Sequence, residues 1–326
     1  MLRRMFLGAT AALALLAAHG ASAQEEMILR SADIHPDGYP TVEAVKYMGQ
    51  LLEEKTNGRI KVEVFHSRQL GEEKDTIEQT RFGVIDMNRV NLAPFNNLIP
   101  QTVVPALPFV FRSIEHMHKV MDGEIGNEIL AAFEAHDLVA LCFYDSGARS
   151  FYTVNKPIRS FADMQGQKIR VQQSDMWLSM MQALKANPTP MSYGEVYSAL
   201  QTGVIDGAEN NWPSFESSKH YEVAKFYTLT QHSMSPEVLT MSKATWDKLT
   251  PEDQTAVKEA AKASVAKMRE LWEAQEKKSE ETVRAAGVEV ITIDKQPFID
   301  AMAPVYAEFA NTEELKDLVA RIQAVQ

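Results

Sequence analysis

Residues 79–90 read QTRFGVIDMNRV, and this stretch predicts the end of a helix followed directly by a buried strand. Gly83 can take the positive φ at which many helices end, and we predict that a buried strand follows directly over residues 84–90. A shorter version, LQTGVID, recurs at residues 200–206. The recurrence is either a coincidence between two common helix-to-strand junctions or an indication of two domains of similar construction.

The segments before this junction alternate between strand and helix patterns. Residues 27–32 and 60–65 have the apolar patterns of strands, whereas residues 41–56 carry apolar side chains at helical spacing. Another helix is predicted over residues 72–82. Because strands and helices that alternate in this way form a largely parallel sheet covered by helices, the predicted fold class is α/β.

A second unit of similar construction is predicted from Gly147 onward. Its first strands are expected at residues 150–154 and 168–172. Ser192 and Glu195 have the spacing of a capping box, which predicts the start of another helix.

One segment is too long for a helix of a single small domain. From Pro251 the chain has no glycine or further proline until Gly287. A helix of about 35 residues would measure roughly 50 Å at 1.5 Å per residue. We interpret it as a strut lying across both domains, with two helices broken near Ala274 as the alternative. No flexible linker is evident in the sequence, so crossing strands are expected to join the domains.

The first 23 residues have the three parts of a secretory signal peptide. Arg3 and Arg4 precede an apolar run over residues 5–18, and the small residues 21–23 form a cleavage-type tail. A membrane anchor is the alternative, but the run is shorter than the roughly 20 residues needed to cross a bilayer. We therefore expect export to the periplasm with cleavage near Ala23, by either the Sec or the twin-arginine route.

The charge balance and the single cysteine exclude several kinds of partner and site. The chain has 44 acidic and 33 basic residues, and the resulting net charge of -11 argues against nucleic acid and anionic lipid as partners. Cys142 lies in the apolar run LVALCFY, so we expect a buried strand residue with no disulfide partner and no nucleophilic role. A negatively charged ligand would need a local positive pocket.

The sequence carries no recognisable catalytic or cofactor-binding motif. It contains no Cys-x-x-Cys, His-Glu-x-x-His or Gly-x-Ser-x-Gly pattern and no glycine-rich phosphate loop. His116 and His118 are two residues apart, which places them on different sides of a helix, so we expect solvated residues and no metal site. We expect no cofactor and no enzymatic activity; a periplasmic enzyme acting on a sugar acid is the alternative.

Two arginines lie in or beside apolar strands. Arg170 lies within KIRVQQ, and Arg149 lies where a strand is predicted to begin. Burying a guanidinium without an anion is costly, and its planar fork matches a carboxylate with two parallel hydrogen bonds. The two arginines therefore indicate either a carboxylate-binding site or internal salt bridges, and their spacing favours neither.

A third candidate element is the segment DGAENNWP at residues 206–213. Asn210 and Asn211 follow a predicted strand, at the carboxyl edge where open α/β sheets bind ligands. Their amides can bind hydroxyl groups, and Trp212 or Tyr193 can offer an aromatic face to a sugar ring. The alternative is that the asparagines only cap the helix that follows.

These residues are similar to those of a known family. The run KIRVQQSDMWLSMMQALKANPTPMSYGEVYSALQTGVIDGAENNWPSF (168–215) resembles the substrate-binding proteins of TRAP (tripartite ATP-independent periplasmic) transporters, as does LGEEKDTIEQTRFGVIDM (70–87). The resemblance covers essentially the whole chain after the signal peptide. It joins K-I-R-V, P-M-x-Y-x-E-V-Y-x-A-L-Q-T and D-G-x-E-N in the expected order.

The resemblance implies a two-domain periplasmic binding protein fold, with mixed sheets flanked by helices, a central cleft and a long domain-spanning helix. Domain I would comprise residues 24–147 and about 236–275, and domain II about 148–235 and 276–326. The partners would be a small carboxylate ligand and the membrane permease subunits of a TRAP transporter, with no ATPase. We expect a monomer.

The resemblance also implies a set of ligand-binding residues. Arg170 would be the principal carboxylate clamp and Arg149 a second arginine at the ligand. The other residues expected there are Asn210, Asn211, Glu73, His35, Asn91, Gln173 and Tyr193. His35-Pro36 and the doubled asparagine look like the subgroup that binds hexuronic acids such as glucuronate or galacturonate. A C4-dicarboxylate or another sugar acid is the alternative ligand, and presentation to a sensor protein is an alternative to transport.

Overall fold

The computed structural model describes residues 26–326. The predicted signal peptide, residues 1–23, and its cleavage site lie outside the described residues. The strands are β1 (Met27–Ala32), β2 (Ile60–Phe65), β3 (Met87–Asn91), β4 (Leu138–Tyr144), β5 (Arg149–Thr153), β6 (Lys168–Val171), β7 (Asn187–Pro190), β8 (Gly207–Asn210), β9 (Phe226–Ser233), β10 (Glu237–Ser242) and β11 (Glu289–Ile291).

Helices separate most of these strands along the chain. The α-helices are α1 (Pro40–Lys55), α2 (Glu73–Arg81), α3 (Val103–Ala106), α4 (Ile114–Met121), α5 (Glu124–Ala132), α6 (Asp175–Ala183), α7 (Val196–Thr202), α8 (Trp212–Ser217), α9 (His220–Val223), α10 (Lys243–Trp246), α11 (Pro251–Ala285), α12 (Gln296–Asp300), α13 (Ala303–Phe309) and α14 (Glu313–Ala324).

The strands form two mixed sheets. The first has the order β2-β1-β3-β10-β4, and the second has the order β11-β9-β5-β8-β6-β7. In the first sheet, β1 is parallel to β2 and β3, whereas β10 is antiparallel to both of its neighbours. In the second, β5 is antiparallel to β8 and β9, whereas β6 is parallel to β7 and β8. The predicted α/β class with mixed sheets is confirmed.

The chain crosses between the sheets three times, twice through short segments and once, between β10 and β11, through α10 and α11. The first sheet takes its strands from residues 27–144 and 237–242, and the second takes its strands from residues 149–233 and 289–291. The two short crossings, between β4 and β5 and between β9 and β10, are only a few residues long. One hydrophobic cluster contains buried side chains from both sheets, including Val90 and Ile169. The domain boundaries given above remain a prediction.

Helix α11 is a single helix of 35 residues, as the strut interpretation requires. The Thr250 side chain accepts a hydrogen bond from the Asp253 backbone N–H at its start, and Pro251 occupies the first turn. The helix contacts α1 and β4 on the side of the first sheet and α8 on the side of the second. The alternative of a break near Ala274 is wrong.

The repeated Gly-Val-Ile-Asp segments have the same local structure in both halves. Gly83 and Gly203 follow α2 and α7 with φ of 70° and 73°, so both helices end at a glycine in the left-handed region. The strand that follows Gly83 begins at Met87 and not at residue 84 as predicted, because residues 84–86 form a turn.

The aspartate of each segment explains that turn. The Asp86 carboxylate accepts a hydrogen bond of 2.8 Å from the Arg30 backbone N–H of β1. In the same way, the Asp206 carboxylate accepts a hydrogen bond of 2.8 Å from the backbone N–H of Lys168 at the start of β6. Each aspartate therefore joins its own junction to a neighbouring parallel strand, and the recurrence has a structural cause.

The predictions for Cys142 and for the two histidines have different outcomes. Cys142 is buried in β4, and burial raises the pKa of its thiol to about 12, so the thiol stays protonated at neutral pH. The prediction of solvated histidines is wrong for His116, whereas the His118 side chain is 25% exposed. His116 is buried, with its ring bonded to the Arg112 N–H and the Ile322 carbonyl, and His118 lies 2.7 Å from the Asp145 carboxylate.

None of the helices within residues 26–326 has the length and apolar character needed to span a bilayer. The same residues contain no group of three or more His, Cys, Asp or Glu side chains placed to hold a metal ion.

The glycine of the D-G-x-E-N motif gives a test of this packing. A Cβ atom at Gly207 would clash with the Tyr152 carbonyl oxygen of the adjacent β5, whereas a Cβ at Gly203 would meet nothing. We expect Gly203→Ala to lower the free energy of unfolding by about 1 kcal/mol through its positive φ. Gly207→Ala is expected to cost at least about 2 kcal/mol, since backbone must move. Urea denaturation measures both, and equal losses would contradict the proposed clash.

Candidate ligand-binding site

The candidate site lies between the two sheets, where side chains from six strands converge. Four parallel strands contribute residues at or just after their carboxyl ends, and the antiparallel strands β5 and β10 contribute their first residues. All of these ends therefore meet along one edge of each sheet, as ligand sites of α/β proteins do. The residues brought together are His35, Asn91, Arg149, Arg170, Asn210 and Glu237.

Two adjoining cavities occupy this region. One has a volume of about 20 Å³ and the other about 10 Å³, room for about one water molecule each, so the cleft must widen to admit a larger ligand. They share the lining residues Glu73, Arg170, Gln172 and Tyr193. Of the predicted site residues, Arg149, Arg170, Asn210, Glu73, His35, Asn91, Gln173 and Tyr193 line one or both cavities, whereas Asn211 lines neither. Contact with a ligand remains a prediction for the residues that line them.

Three buried arginines lie in or beside the cleft. The charge of the first, Arg89, is balanced by nearby carboxylates. Arg89 on β3 is 1% exposed, and its guanidinium pairs with Asp33 through two nitrogens and with Glu237 at 2.6 Å. Glu73 lies 3.5 Å from the same group. Burial by itself lowers the pKa of Arg89, but Asp33 and Glu237 outweigh it and raise the pKa overall.

Arg149 is compensated by a single carboxylate. Its Nε and Nη2 donate to the two carboxylate oxygens of Glu209 at 2.6 and 2.8 Å, and Nη2 also donates to the Glu209 carbonyl. Burial opposes the charge of Arg149, but Glu209 raises its pKa overall. The internal salt bridge left open by the sequence is therefore present at this arginine. Arg149 can still line the cavity, but its fork is already engaged.

Arg170 differs from both, because no carboxylate within residues 26–326 lies within salt-bridge distance of it. Its Nε and Nη2 both donate to one carbonyl, that of Met191, at 3.1 and 2.8 Å. The residue is 4% exposed. Burial lowers the pKa of Arg170 below its ordinary value, as an uncompensated buried cation requires. Arg170 is thus the cleft arginine that lacks an anion.

Several buried polar atoms at the cavities also lack partners in the described structure. They are Nδ1 of His35, Oε1 of Gln172 and Oε2 of Glu72. Buried polar groups in proteins are nearly always hydrogen-bonded, so such atoms are normally satisfied by water or by a ligand. The cavities therefore offer hydrogen-bonding positions in addition to the cation.

An aromatic wall fixes the position of His35 and Tyr193. The imidazole of His35 stacks on Tyr39 with ring centroids 3.8 Å apart, and the Tyr193 ring meets it edge-on at 5.5 Å. The Tyr193 hydroxyl donates to the Ser214 carbonyl at 3.0 Å. Burial, and then Arg89, holds the pKa of His35 well below its ordinary value, so its imidazole is neutral at pH 7.

The side-chain amides of Asn210 and Asn211 make different contacts. Asn210 lines the cavity, and its Oδ1 accepts a hydrogen bond from the Asn211 backbone N–H. Asn211 instead caps α8: its Oδ1 accepts from the Ser214 N–H, and its Nδ2 donates to the Ser146 carbonyl. Both ends of the Asn211 amide hold backbone groups, so a contact between Asn211 and a ligand stays a prediction that these bonds disfavour.

Two other expectations also change. Trp212 packs in a hydrophobic cluster with its ring stacked 3.9 Å from Tyr227, so it offers no face to the cavity. Asn91 lines the cavity, but its amide donates to Ser235 and Glu237 and accepts from the Ala93 N–H. Asn91 therefore fixes the shape of the site, and its freedom to bind a ligand is small.

Glu73 is the acidic residue of the site. Its side chain is only 13% exposed, and Oε1 accepts a hydrogen bond from the Asn91 N–H. Burial raises its pKa, Arg89 lowers it and Glu237 raises it again, with a result of about 7. Glu73 therefore changes its protonation near neutral pH.

The sequence interpretation missed three residues of this site. Arg89 lies in the buried strand MNRVN, where two asparagines make the apolar surroundings that singled out Arg170 less evident in the sequence. Its acidic partner Glu237 is distant in sequence and carries no such signal. The third residue, Gln172, lies two positions after Arg170 in the segment KIRVQQ. It lines both cavities, whereas the predicted Gln173 lines only one.

The family model for bacterial extracellular solute-binding protein, family 7, matches residues 31–313. A solute-binding protein of Chromohalobacter salexigens is 42% identical over 299 residues, covering 91% of this chain and 89% of the relative. Among solved structures, a TRAP periplasmic solute-binding protein of Bradyrhizobium sp. BTAi1 in complex with D-galacturonate is 59% identical. It covers 90% of this chain and 99% of that chain, with a TM-score of 0.90. A corresponding protein of Pseudomonas putida F1 with bound D-glucuronate is 48% identical, covers 92% and 97%, and has a TM-score of 0.90.

The pKa of Glu73 predicts a pH-dependent stability. Because the folded protein holds this proton more tightly than the unfolded chain, the stabilisation is complete below pH 4.5 and is lost as the pH rises through about 7. Glu73→Gln has no such proton to lose. We expect Tm of the variant minus Tm of the native protein to increase by about 2–5 °C from pH 5 to pH 8 in calorimetry.

The exposed Glu63 of β2 supplies the control for that experiment. Glu63→Gln removes the same charge at a surface position. The assignment of a raised pKa to Glu73 would be contradicted in two cases. In one, the difference in Tm between Glu73→Gln and the native protein does not change with pH. In the other, the difference for Glu63→Gln changes equally.

Proposed function

Because this chain belongs to bacterial extracellular solute-binding protein family 7, whose members are transporter substrate-binding proteins and not enzymes, we propose that it captures a hexuronate in the periplasm and delivers it to a TRAP permease. The observation that carries the proposal is Arg170, a buried guanidinium with no acidic partner in the described chain, at the wall of a cavity. The structures from Bradyrhizobium and Pseudomonas putida, with galacturonate and glucuronate bound, support the choice of ligand.

The ligand carboxylate is assigned to Arg170. The guanidinium keeps donors beyond the Nε and Nη2 groups that bind the Met191 carbonyl. A carboxylate in the cavity would supply the missing negative charge and accept charge-assisted hydrogen bonds in a site shielded from water. Arg149 lies on the same cavity, but Glu209 already occupies its fork and balances its charge.

The hydroxyl groups of the sugar are assigned to the polar atoms around the cavity. His35 and Gln172 contribute buried atoms without protein partners, and Glu73 and Asn210 line the same space. A sugar acid with several hydroxyl groups satisfies more of these positions than a simple dicarboxylate does. Neutral His35 can donate or accept, depending on its tautomer.

The residues around the cavity come from both lobes, so a bound ligand would favour closure of the lobes around it. His35 and Glu73 come from the part of the chain that forms the first sheet, whereas Arg170 and Asn210 come from the second. Across the cleft, the Tyr39 hydroxyl lies 2.9 Å from Ser214 Oγ. A ligand that contacts both lobes stabilises the arrangement in which they are close together. We propose that a monomer in this closed form is what the permease recognises.

Substitution of Arg170 tests the carboxylate assignment. Arg170→Ala is expected to weaken hexuronate binding at least about 100-fold, since a buried charge pair is lost. Arg170→Lys is expected to recover only part of this loss, because an ammonium cannot form the planar fork. Isothermal titration calorimetry with D-glucuronate and D-galacturonate measures both variants.

The control comes from the same strand. Lys168→Ala removes a positive charge at an exposed position two residues away and is expected to leave the affinity within about twofold of native. Native affinity in both Arg170 variants, with their folding confirmed by circular dichroism, would refute the assignment.

The alternative ligands are a C4-dicarboxylate and other sugar acids. A thermal-shift screen over hexuronates, aldonates and dicarboxylates separates them, because a ligand that binds only the folded protein raises its Tm. We expect the largest rise with a hexuronate. Asn210→Ala should reduce the rise for hexuronates more than for succinate, since only the former has hydroxyl groups to bond. A larger rise with succinate would assign the protein to dicarboxylate capture.

A further inference from the structure

A long groove lies beside β4, on the opposite side of that strand from β10. Its two sections have volumes of about 550 and 260 Å³, and together they are lined by consecutive residues of β4 from Leu138 to Phe143. Helix α5 forms one bank of the groove and helix α11 the other. None of the candidate ligand-binding residues lines it, so the groove is separate from the cleft.

The floor of this groove is the unpaired edge of a sheet. β4 is the last strand of the first sheet, with β10 as its only sheet neighbour in the described chain. Alternate backbone N–H and C=O groups of an edge strand point away from the sheet and are open to another strand. β4 has seven residues, LVALCFY, without a proline or a charged side chain. Of the features by which proteins protect an edge, β4 has a bulge at Leu141 and the flanking helices α5 and α11. The groove between these helices leaves the edge accessible.

The two banks differ in chemistry. On α11, Lys258 and Lys262 are exposed and make no salt bridge with any residue from 26 to 326. Arg269 farther along the same bank is already paired with Asp122 through two hydrogen bonds of 2.8 Å. The opposite bank presents Met121 and Leu130 together with Asn127, Asp122, which is paired with Arg269, and Glu134, which lies 3.8 Å from Lys243. A protein with a net charge of -11 thus has two unpaired cations beside an open strand edge.

We propose that this groove binds an extended acidic segment of a partner protein, which adds as a strand to β4. The backbone of the segment would pair with the open edge, as in other cases of strand addition. Since successive side chains of a strand point to opposite faces, acidic residues would face Lys258 and Lys262 while the alternating residues, being apolar, would face Leu130. The groove spans about six residues of β4, or roughly 20 Å.

A second copy of this chain fits the groove poorly. Two β4 strands that pair edge to edge in antiparallel fashion are related by a two-fold axis perpendicular to the sheet, so both α11 helices lie on the same face. Lys258 and Lys262 of the two copies would then face one another across the junction. Their like charges oppose this pairing and favour an acidic partner.

A labelled peptide tests the proposal on the full mature chain. The probe is fluorescein-labelled Glu-Val-Glu-Val-Glu-Val with an amidated carboxyl end, and its binding is followed by fluorescence anisotropy. We expect saturable binding that weakens roughly tenfold in the double variant Lys258→Glu, Lys262→Glu, and that weakens with added salt. The matched control, Lys277→Glu with Lys278→Glu, makes the same charge change at exposed positions of the same helix and should bind as the native protein does.

Two methylated peptides distinguish strand pairing from simple charge attraction. N-methylation of the valines blocks one edge of the peptide strand, and N-methylation of the glutamates blocks the other, with the charge unchanged. Only one of the two is expected to lose binding. In hydrogen exchange, the amides of residues 138–144 should become protected when the unmethylated peptide binds.

Three results would overturn the proposal. One is equal binding by the two methylated peptides, and another is unchanged affinity in the Lys258→Glu, Lys262→Glu variant. The third is a dimer, detected by light scattering, that the peptide dissociates, because the groove would then belong to a second copy. Hexuronate binding by calorimetry is measured on the same samples, so failure here is distinguishable from failure of the proposed function.

Discussion

The structure of the cleft depends on how the charge of each buried guanidinium is balanced. Water stabilises a free arginine strongly, so a buried one must recover that stabilisation from acidic or carbonyl groups. Arg89 recovers it from Asp33 and Glu237, and Arg149 recovers it from Glu209. Arg170 has only the Met191 carbonyl. The protein thus maintains one incomplete ion pair, and an acid from outside the chain is the group that completes it.

The two compensated arginines prepare the site for the third. The Arg89 network joins β1, β3 and β10 at the bottom of the first lobe and holds Glu73 near its cation. The Arg149–Glu209 pair joins β5 and β8 of the second lobe, directly beside Asn210. The Arg149–Glu209 pair is neutral, whereas the Arg89 network has more carboxylates than cations, so neither wall presents an unbalanced positive charge to the cavity. Selectivity for an acid then rests on the one cation that remains, and selectivity for hydroxyl groups rests on the fixed polar atoms around it.

Topology explains why a two-lobed chain can both hold and close on a ligand. The chain crosses between the sheets through two short segments and once more through α10 and α11, and α11 packs against both lobes. Because the site residues lie at strand ends facing the cleft, a small rotation about these crossings would move all of them together. The open edge of β4 lies on the side of that strand opposite β10, and none of the residues that line the cleft lines the groove beside it. Capture of a ligand and contact with a partner protein can thus use different surfaces of one fold.

The sequence by itself determined the α/β class, the single long helix, the burial of Cys142 and the two glycine-terminated junctions. These features depend on local periodicity, on the positive φ of glycine and on the absence of helix-breaking residues, all of which are properties of neighbouring residues. With the family resemblance, it also selected most residues that line the cavities, since Arg170 and Asn210 lie in contiguous motifs.

Only the tertiary structure decided which polar residues are already satisfied. Arg149 and Arg170 look alike in sequence, but Glu209 forms an ion pair with Arg149, whereas no carboxylate of the described chain pairs with Arg170. Asn211 caps helix α8, and Arg89 pairs with Glu237, which lies 148 residues away in the sequence. Such pairings depend on the register of strands that are distant along the chain. A residue's own neighbours in sequence carry no information about them, because the balance of a buried charge is set in three dimensions.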